Sequence, residues 1–159
     1  MLLIRPATAN DVSSLLAMIR ELAEYEREPD AVTTRAEDLA RNGFGANPKF
    51  RALIAEWNGQ IAGFALFFPY YSTWAGPGMF LEDLFIRTPF RRLGIGTALM
   101  AAVGRVAVEE GCYGMKWEVL DWNENAIGLY KAMGAEFRES WKSMLLTGES
   151  LQLLAKAAK

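Results

Sequence analysis

Residues 89–104 read PFRRLGIGTALMAAVG: two arginines, two glycines one residue apart, then an apolar run without a break. The stretch before it, Phe80 to Ile86, is strand-like, and the stretch after it predicts a long helix from about Gly94 to Glu110. A strand that passes through a glycine-bearing loop directly into a helix commits the chain to an α/β layout. It also exposes backbone. Gly94 and Gly96 carry no side chain to keep a ligand away, and the first-turn N–H groups of the helix have no partner inside it. With the helix dipole adding positive charge there, the loop suits an anion, and Arg91 and Arg92 strengthen the attraction to phosphate. A glycine turn flanked by solvated arginines would carry the same residues. No Gly-Lys-Ser/Thr follows, so this is not a Walker loop, and Leu99 stands where the third glycine of G-x-G-x-x-G would be.

The remaining pattern alternates in period. Leu2 to Arg5 reads as a short strand ending at Pro6, and Asn10 as the cap of a helix whose apolar positions Val12, Leu15, Leu16, Ile19, Leu22 and Ala23 carry it to about Tyr25. Thr34 is expected to cap a shorter helix through Leu39, ended by Gly43. Ala52–Trp57 and Ile61–Phe68 flank Asn58-Gly59, a two-residue hairpin signal. After the long helix come an expected strand at Met115–Leu120, a helix at Glu124–Met133 and a strand near Trp141–Leu146. The sum is an antiparallel meander feeding a strand-loop-helix-strand unit.

Composition narrows the chemistry. The chain has 159 residues, 52% of them hydrophobic, which suits one self-sufficient core. Neither a signal peptide nor an apolar run of about 20 residues is present, so a cytoplasmic location away from membranes is expected. A net charge of −2 does not point to nucleic acid. There is no histidine and only one cysteine, Cys112, read as a small buried filler. Histidine triads, the usual zinc sites and an internal disulfide are thereby excluded, and no metal is expected. Any acid or base must be a carboxylate, Tyr, Lys or Cys.

Arg91-Arg92-Leu93-Gly94-Ile95-Gly96 fits the pattern R/Q-x-x-G-x-G/A, and the chain resembles the GNAT superfamily of N-acetyltransferases. The segments IRPATANDV, ELAEYE, NGFGANP, FLEDLFI, RRLGIGTAL and DWNENAIGLYKAMGA follow the order of its diamine acetyltransferase branch, which includes polyamine and thialysine N-acetyltransferases. The resemblance covers nearly the whole chain and is weaker after Arg138. It implies a single N-acetyltransferase domain over residues 1–159, a mixed central sheet, acetyl-CoA as cosubstrate, a small cationic amine as acceptor, and a homodimer. It implies that the backbone of Leu84, Phe85 and Ile86 meets the acetyl and pantetheine portions, and that Arg91, Arg92, Leu93, Gly94, Ile95, Gly96 and Thr97 hold the pyrophosphate. Asn123 and Tyr130 fall where the family places a cofactor-contacting Asn and the catalytic Tyr, while Tyr25 and Glu26 match an acceptor-binding pair. Ala126 stands where some members carry a hydroxyl, so no hydrogen bond is expected from it.

The reaction sets its own demands. An alkyl amine with pKa ~10.4 has a free lone pair in only about one molecule in 10³ at pH 7, so a proton must be removed. Glu82 and Asp83, just ahead of the loop, are the natural acceptors. Strand alternation sends them to opposite faces, so one of them should face the amine; the resemblance favours Glu82, directly or through a water. Polar residues at a strand end, or a cap for a nearby helix, would explain the same pair. Tyr130 reads either as an aromatic packed between helix and sheet or as the donor that protonates a departing thiolate. Asn123 reads as a helix cap, a cofactor contact, or both. Glu21, Glu24, Glu26, Glu28 and Asp30 form either a solvated helix face or a field that concentrates a cationic amine. Trp57, Trp74, Phe67, Phe68, Tyr70 and Tyr71 read as core or dimer-contact aromatics. The competing functions are the same chemistry on an antibiotic amine or a protein amino group, and a non-catalytic CoA-binding module. Retention of both Glu82 and Tyr130 weighs against the last.

Overall fold

Asn58 and Gly59 both take positive φ, 50° and 79°, the backbone of a type I′ turn. They join β2 (Arg51–Trp57) to β3 (Gln60–Ser72) with no other residue between. The expected hairpin is therefore present. In the computed structural model, which describes residues 1–157, it lies in a five-stranded sheet of order β1-β2-β3-β4-β5. The other strands are β1 (Leu2–Pro6), β4 (Gly76–Ile86) and β5 (Met115–Lys116). Neighbours from β1 to β4 are antiparallel, and β5 is parallel to β4. A parallel pair needs a crossover, and α3 (Ile95–Glu109) supplies it.

The chain forms two compact units, Met1–Leu120 and Asp121–Lys159. The first holds the sheet with α1 (Val12–Tyr25), α2 (Ala36–Phe44) and α3. Leu15, Met18 and Leu22 of α1 bury against Ala52, Ile54, Phe64, Leu66 and Phe85 on one sheet face. The alternate residues turn the other way, toward α3: the Arg51 guanidinium lies 5.1 Å over the Phe67 ring and pairs with Glu110 just past that helix. Ile95, Leu99 and Val103 of α3 are fully buried. The second unit holds α4 (Glu124–Ala132) and α5 (Gly148–Ala157). No helix among the described residues is long and apolar enough to cross a membrane.

The pairing of β3 with β4 is interrupted at one point. Leu66 pairs with Asp83 but Phe67 pairs with Leu81, so Glu82 is an extra residue in β4, a β-bulge.

Several elements depart from the sequence reading. The start of α1 is organised by Asp11 rather than Asn10, which lies inside a 3-10 turn; the Thr8 amide donates to Asp11 Oδ2 at 2.7 Å. The helix α2 begins at Ala36, beyond Thr34, and runs through Gly43 to Phe44. Gly43 permits a close approach instead of ending the helix, because a Cβ there would lie 2.4 Å from the Phe50 ring. A second hairpin, turning at residues 73–75, lengthens β3 and β4. β5 stops at Lys116 instead of Leu120, since its partner β4 is deflected by the bulge two residues beyond Phe80. No strand forms at 141–146; helix α5 follows instead, at Gly148–Ala157. The segment Trp-Lys-Ser-Met-Leu-Leu alternates weakly and has no β-branched residue to favour a pleated backbone.

The N-terminal junction is held by charge. Arg5 donates from both Nη atoms to Asp11, at 2.9 and 2.8 Å, and from Nε to Glu56 at 2.7 Å. The Arg5 guanidinium holds the buried Asp11 carboxyl down at about 2, against an ordinary 3.8. A depressed carboxyl stabilises the fold fully above its unfolded pKa and loses that contribution as pH falls through the folded one. Asp11→Asn should therefore cost roughly 2 kcal/mol at pH 7 in chemical denaturation. The difference between variant and wild type should shrink as pH is lowered from about 4 to 2; a difference independent of pH would mean that the charge is not what holds the junction.

Candidate active site

The loop after β4 is shaped by backbone conformation. A 3-10 turn at Thr88–Phe90 leads into Arg91, Arg92 takes φ 62°, and Gly94 caps α3 with φ 77°. At such a φ, glycine is the residue that adopts the turn without strain. Ile95, 1% exposed, anchors the helix start in the core. The first intrahelical bond runs from the Ala98 amide to the Gly94 carbonyl at 3.0 Å. The amides of Ile95, Gly96 and Thr97 belong to the turn that has no intrahelical acceptors, and Leu93, Gly94 and Thr97 are exposed around them. The loop thus leaves these amides open at the N-terminus of a 15-residue helix, where the helix dipole favours negative charge.

The two arginines divide. Arg92 is exposed. Arg91 turns back, donating from Nε to the Ile86 carbonyl at 3.0 Å, with its guanidinium 4.6 Å over the Tyr25 ring and 5.9 Å over Phe85. Arg91 therefore braces the loop against the end of α1 rather than reaching out toward an anion. Arg87 does similar work one turn earlier, holding Glu21 at 2.8 Å and the Ile61 carbonyl at 3.2 Å. Together they fix the C-terminal end of α1 beside the end of β4.

That end carries Glu26. The Glu28 amide returns to the Ala23 carbonyl at 2.9 Å and the Arg27 amide to Glu24 at 3.1 Å, a Schellman closure in which Arg27 takes φ 65°. Facing it is the bulge. Counting by twos from Phe80 places Glu82 on the α1 face, and counting back from Phe85 places Asp83 on that same face. The expectation that strict alternation would separate the two carboxylates fails here, because the extra residue resets the alternation. The electrostatics agree. Burial, then Glu82, then Glu26 push the Asp83 carboxyl up to about 7, while burial and next Glu118 raise Glu82, and burial raises Glu26. Tyr25, Glu26, Glu82 and Asp83, all named from the sequence, thus gather in one place.

Beyond the bulge the same face is aromatic. Phe80 stacks on Phe68 with ring centroids 5.2 Å apart, and Tyr70 meets Phe80 edge-on at 6.5 Å. The Tyr70 hydroxyl shares a hydrogen bond of 2.5 Å with that of Tyr113. Lys116 is the register partner of Phe80, and its Nζ lies 5.9 Å from the Tyr70 ring. Of the aromatics read as core or dimer-contact residues, Phe67 is core, and Trp74 at the second hairpin is 86% exposed and so not core. Sequence reasoning passed over Lys116 and Glu118. The signal was available: they are alternate residues of the predicted strand that lies beside β4.

Past Phe80 and Lys116, β5 no longer pairs with β4. Leu84, Phe85 and Ile86 therefore carry an outer strand edge that no strand of the five-stranded sheet covers, which is the open backbone that a pantetheine contact would require. In the second unit, Asn123 caps α4, its Oδ1 accepting from the Ala126 amide at 3.3 Å. Tyr130 lies about two turns further along that helix and is partly buried. Among the described residues no group of three or more His, Cys, Asp or Glu is arranged to hold a metal ion.

A five-stranded mixed sheet whose fourth strand bulges and then opens through a glycine loop into a helix defines an acyltransferase architecture, and the comparisons agree. The acetyltransferase (GNAT) family pattern matches residues 15–135, and the chain belongs to that family; it is an N-acetyltransferase. It is 40% identical over 164 residues to the thialysine N-epsilon-acetyltransferase of Sus scrofa, covering 96% of each chain. It is 35% identical over 158 residues to the spermidine/spermine N(1)-acetyltransferase-like protein 1 of Homo sapiens, covering 93% of this chain and 23% of that one. Among solved structures, an integron cassette protein from V. cholerae superposes with TM-score 0.80 at 23% identity over 98% of each chain.

The bulge makes a direct demand on titration. Asp83 should titrate near pH 7 in carbon-detected NMR of its carboxyl group. Glu82→Gln removes a negative neighbour, so the midpoint should fall while staying above the ordinary value, since burial is the larger cause. An unmoved midpoint would mean that the two carboxylates do not share a face.

Proposed function

We propose that the protein transfers the acetyl group of acetyl-CoA directly to a primary amine of a small di- or polyamine, or of a lysine-like amino acid such as thialysine. In this reading the chain works as one catalytic domain. The observation that carries it is the β4 bulge, which turns Glu82 and Asp83 toward Glu26 with Asp83 raised to about 7. The acceptor class is supported by relatives named for thialysine and for spermidine/spermine.

The loop suits coenzyme A on physical grounds. Three helix-start amides, the left-handed backbone at Gly94 and the exposed Arg92 offer donors and positive charge to a pyrophosphate without a side chain in the way. Acetyl-CoA supplies the acyl group as a thioester. Leu84, Phe85 and Ile86 offer backbone groups along the open strand edge, and Asn123 is the further contact that the family resemblance implies.

The acceptor end follows from charge. Glu26, Glu82 and Asp83 draw a cationic amine to the bulge and hold it there. The Glu82–Asp83 pair then takes a proton from the ammonium nitrogen, freeing its lone pair for attack; as a coupled pair, the two share that role. Tyr130 donates its hydroxyl proton to the leaving sulfur, and the second proton that nitrogen sheds as the amide forms restores the phenol by way of solvent. No covalent acetyl-enzyme is needed.

The test is thiol release from acetyl-CoA across a panel of amines, with Asp83→Asn as the diagnostic variant. The amide keeps the shape and removes the acceptor, so kcat should fall by about 10² to 10⁴, and by less at high pH where solvent supplies more free amine. A general loss of folding would look different. Because the folded pKa of Asp83 lies above its unfolded value, wild-type stability falls as pH rises from about 4 to 7. Asp83→Asn removes that loss and should be more stable than wild type at pH 8. A variant that keeps full activity would overturn the assignment.

Tyr130→Phe keeps the ring and deletes the donor. CoA thiolate is a fair leaving group, its thiol near the ~8.5 of free Cys, so the kcat loss should be about 10². It should narrow with an acetyl thioester of a more acidic thiol. Full activity with acetyl-CoA would make Tyr130 a packing residue.

A further inference from the structure

We infer that Lys116 reads the α-carboxylate of a lysine-length acceptor, so that the protein selects an amino acid over a plain diamine. The inference rests on the acyl-transfer reading above. Lys116 and Phe80 are register partners in the parallel pair, so their side chains share the α1 face, as the approach of Lys116 Nζ to the Tyr70 ring at 5.9 Å confirms. The next residue of β4 on that face is Glu82, with Asp83 beside it. One line along the sheet thus runs from a carboxylate pair, over an aromatic floor of Phe80 stacked on Phe68, to a cation.

The spacing fits one class of molecule. Two residues along a strand and one strand across separate the Lys116 and Glu82 backbones by roughly 8 Å. From distal nitrogen to α-carboxylate, an extended lysine-length amino acid spans roughly 7 Å, given bond lengths near 1.5 Å. With its amine at the bulge, the apolar middle of the molecule, methylene or thioether, would lie on the Phe80 ring. Its carboxylate would reach Lys116, which is exposed and belongs to none of the salt bridges among the described residues. Glu118, two residues on, lies close enough to Glu82 to raise its carboxyl and adds its negative charge at the amine end. A diamine of the same length would instead bring a second ammonium up to Lys116, and like charges in contact are the usual means of rejecting a near-isostere.

The experiment compares thialysine with the diamine left when thialysine loses its carboxylate, using acetyl-CoA and thiol release, for wild type, Lys116→Met and Lys116→Arg. Methionine keeps an apolar stem against Tyr70 and removes the charge. Wild type should show the lower KM for thialysine. Lys116→Met should raise that KM about 5- to 10-fold, as expected for one charge-assisted contact at an exposed position. The KM for the diamine should stay level or fall, kcat should change little, and Lys116→Arg should restore the preference. If wild type acetylates both amines and Lys116→Met leaves their KM ratio unchanged, this inference fails alone. If wild type acetylates neither amine, the acyl-transfer reading fails and this inference falls with it.

Discussion

One extra residue in β4 sets the chemistry of the first unit. Without Glu82 out of register, β3 and β4 would pair residue for residue, and adjacent carboxylates would point to opposite faces. The bulge turns both toward α1 and bends β4 away from β5, so pairing ends at Phe80 and Lys116 and the outer edge of Leu84–Ile86 stays open. Two requirements of the proposed reaction, a proton acceptor on the amine side and free backbone on the thioester side, thus share a single cause.

A bulge alone would leave the carboxylates facing solvent. The end of α1 flanks the half-buried Asp83, while Glu82 stays exposed; that helix end is held by Arg87 and Arg91, which follow β4. Arg87 grips Glu21 and the Ile61 carbonyl, and Arg91 bonds the Ile86 carbonyl while lying over Tyr25. The helix therefore ends where Glu26 adds its charge to Asp83. Arg91 is part of the glycine loop itself. The same residue ties the glycine turn to the end of α1, so a change in loop geometry would be felt at Tyr25.

Features that depend on short-range chemistry were legible in the sequence. Asn58-Gly59 demanded a type I′ turn, and the Gly94-Ile95-Gly96 loop demanded a helix start with open amides; both are found. Tyr25, Glu26, Glu82 and Asp83 were named, although not their arrangement. The bulge escaped because no residue in Phe-Leu-Glu-Asp-Leu-Phe-Ile marks it; register is decided by both strands at once. Missing it, the sequence reading separated Glu82 from Asp83 and carried β5 to Leu120. Lys116 and Glu118 went unnoticed for a related reason: their importance lies in what stands beside them on β4. Asn10 reads as the cap in the sequence, whereas Asp11 organises the turn through its pairing with Arg5, a contact between separate elements. At 141–146, apolar content stood in for β-propensity, and the two are different quantities.

The absence of histidine from the chain turns this carboxylate cluster into a solution to a specific difficulty. A carboxylate at its ordinary pKa is a poor base for an ammonium, because too many pKa units separate the two. Burial and the negative neighbours Glu82 and Glu26 raise Asp83 and narrow that gap. The same neighbours would leave Asp83 partly protonated at pH 7 and unable to accept anything. A cationic acceptor corrects this on arrival, since its charge opposes that of Glu82 and Glu26 and favours ionised Asp83. The ion pair itself holds the two pKa values apart; desolvation works against it, lowering the ammonium and raising the carboxyl, and so brings the proton transfer within reach. On the proposed reading the base is made competent by its own substrate, and a neutral molecule entering the site would leave it protonated. Selection for a cation would then be enforced twice, once in binding and once in the proton transfer that completes it.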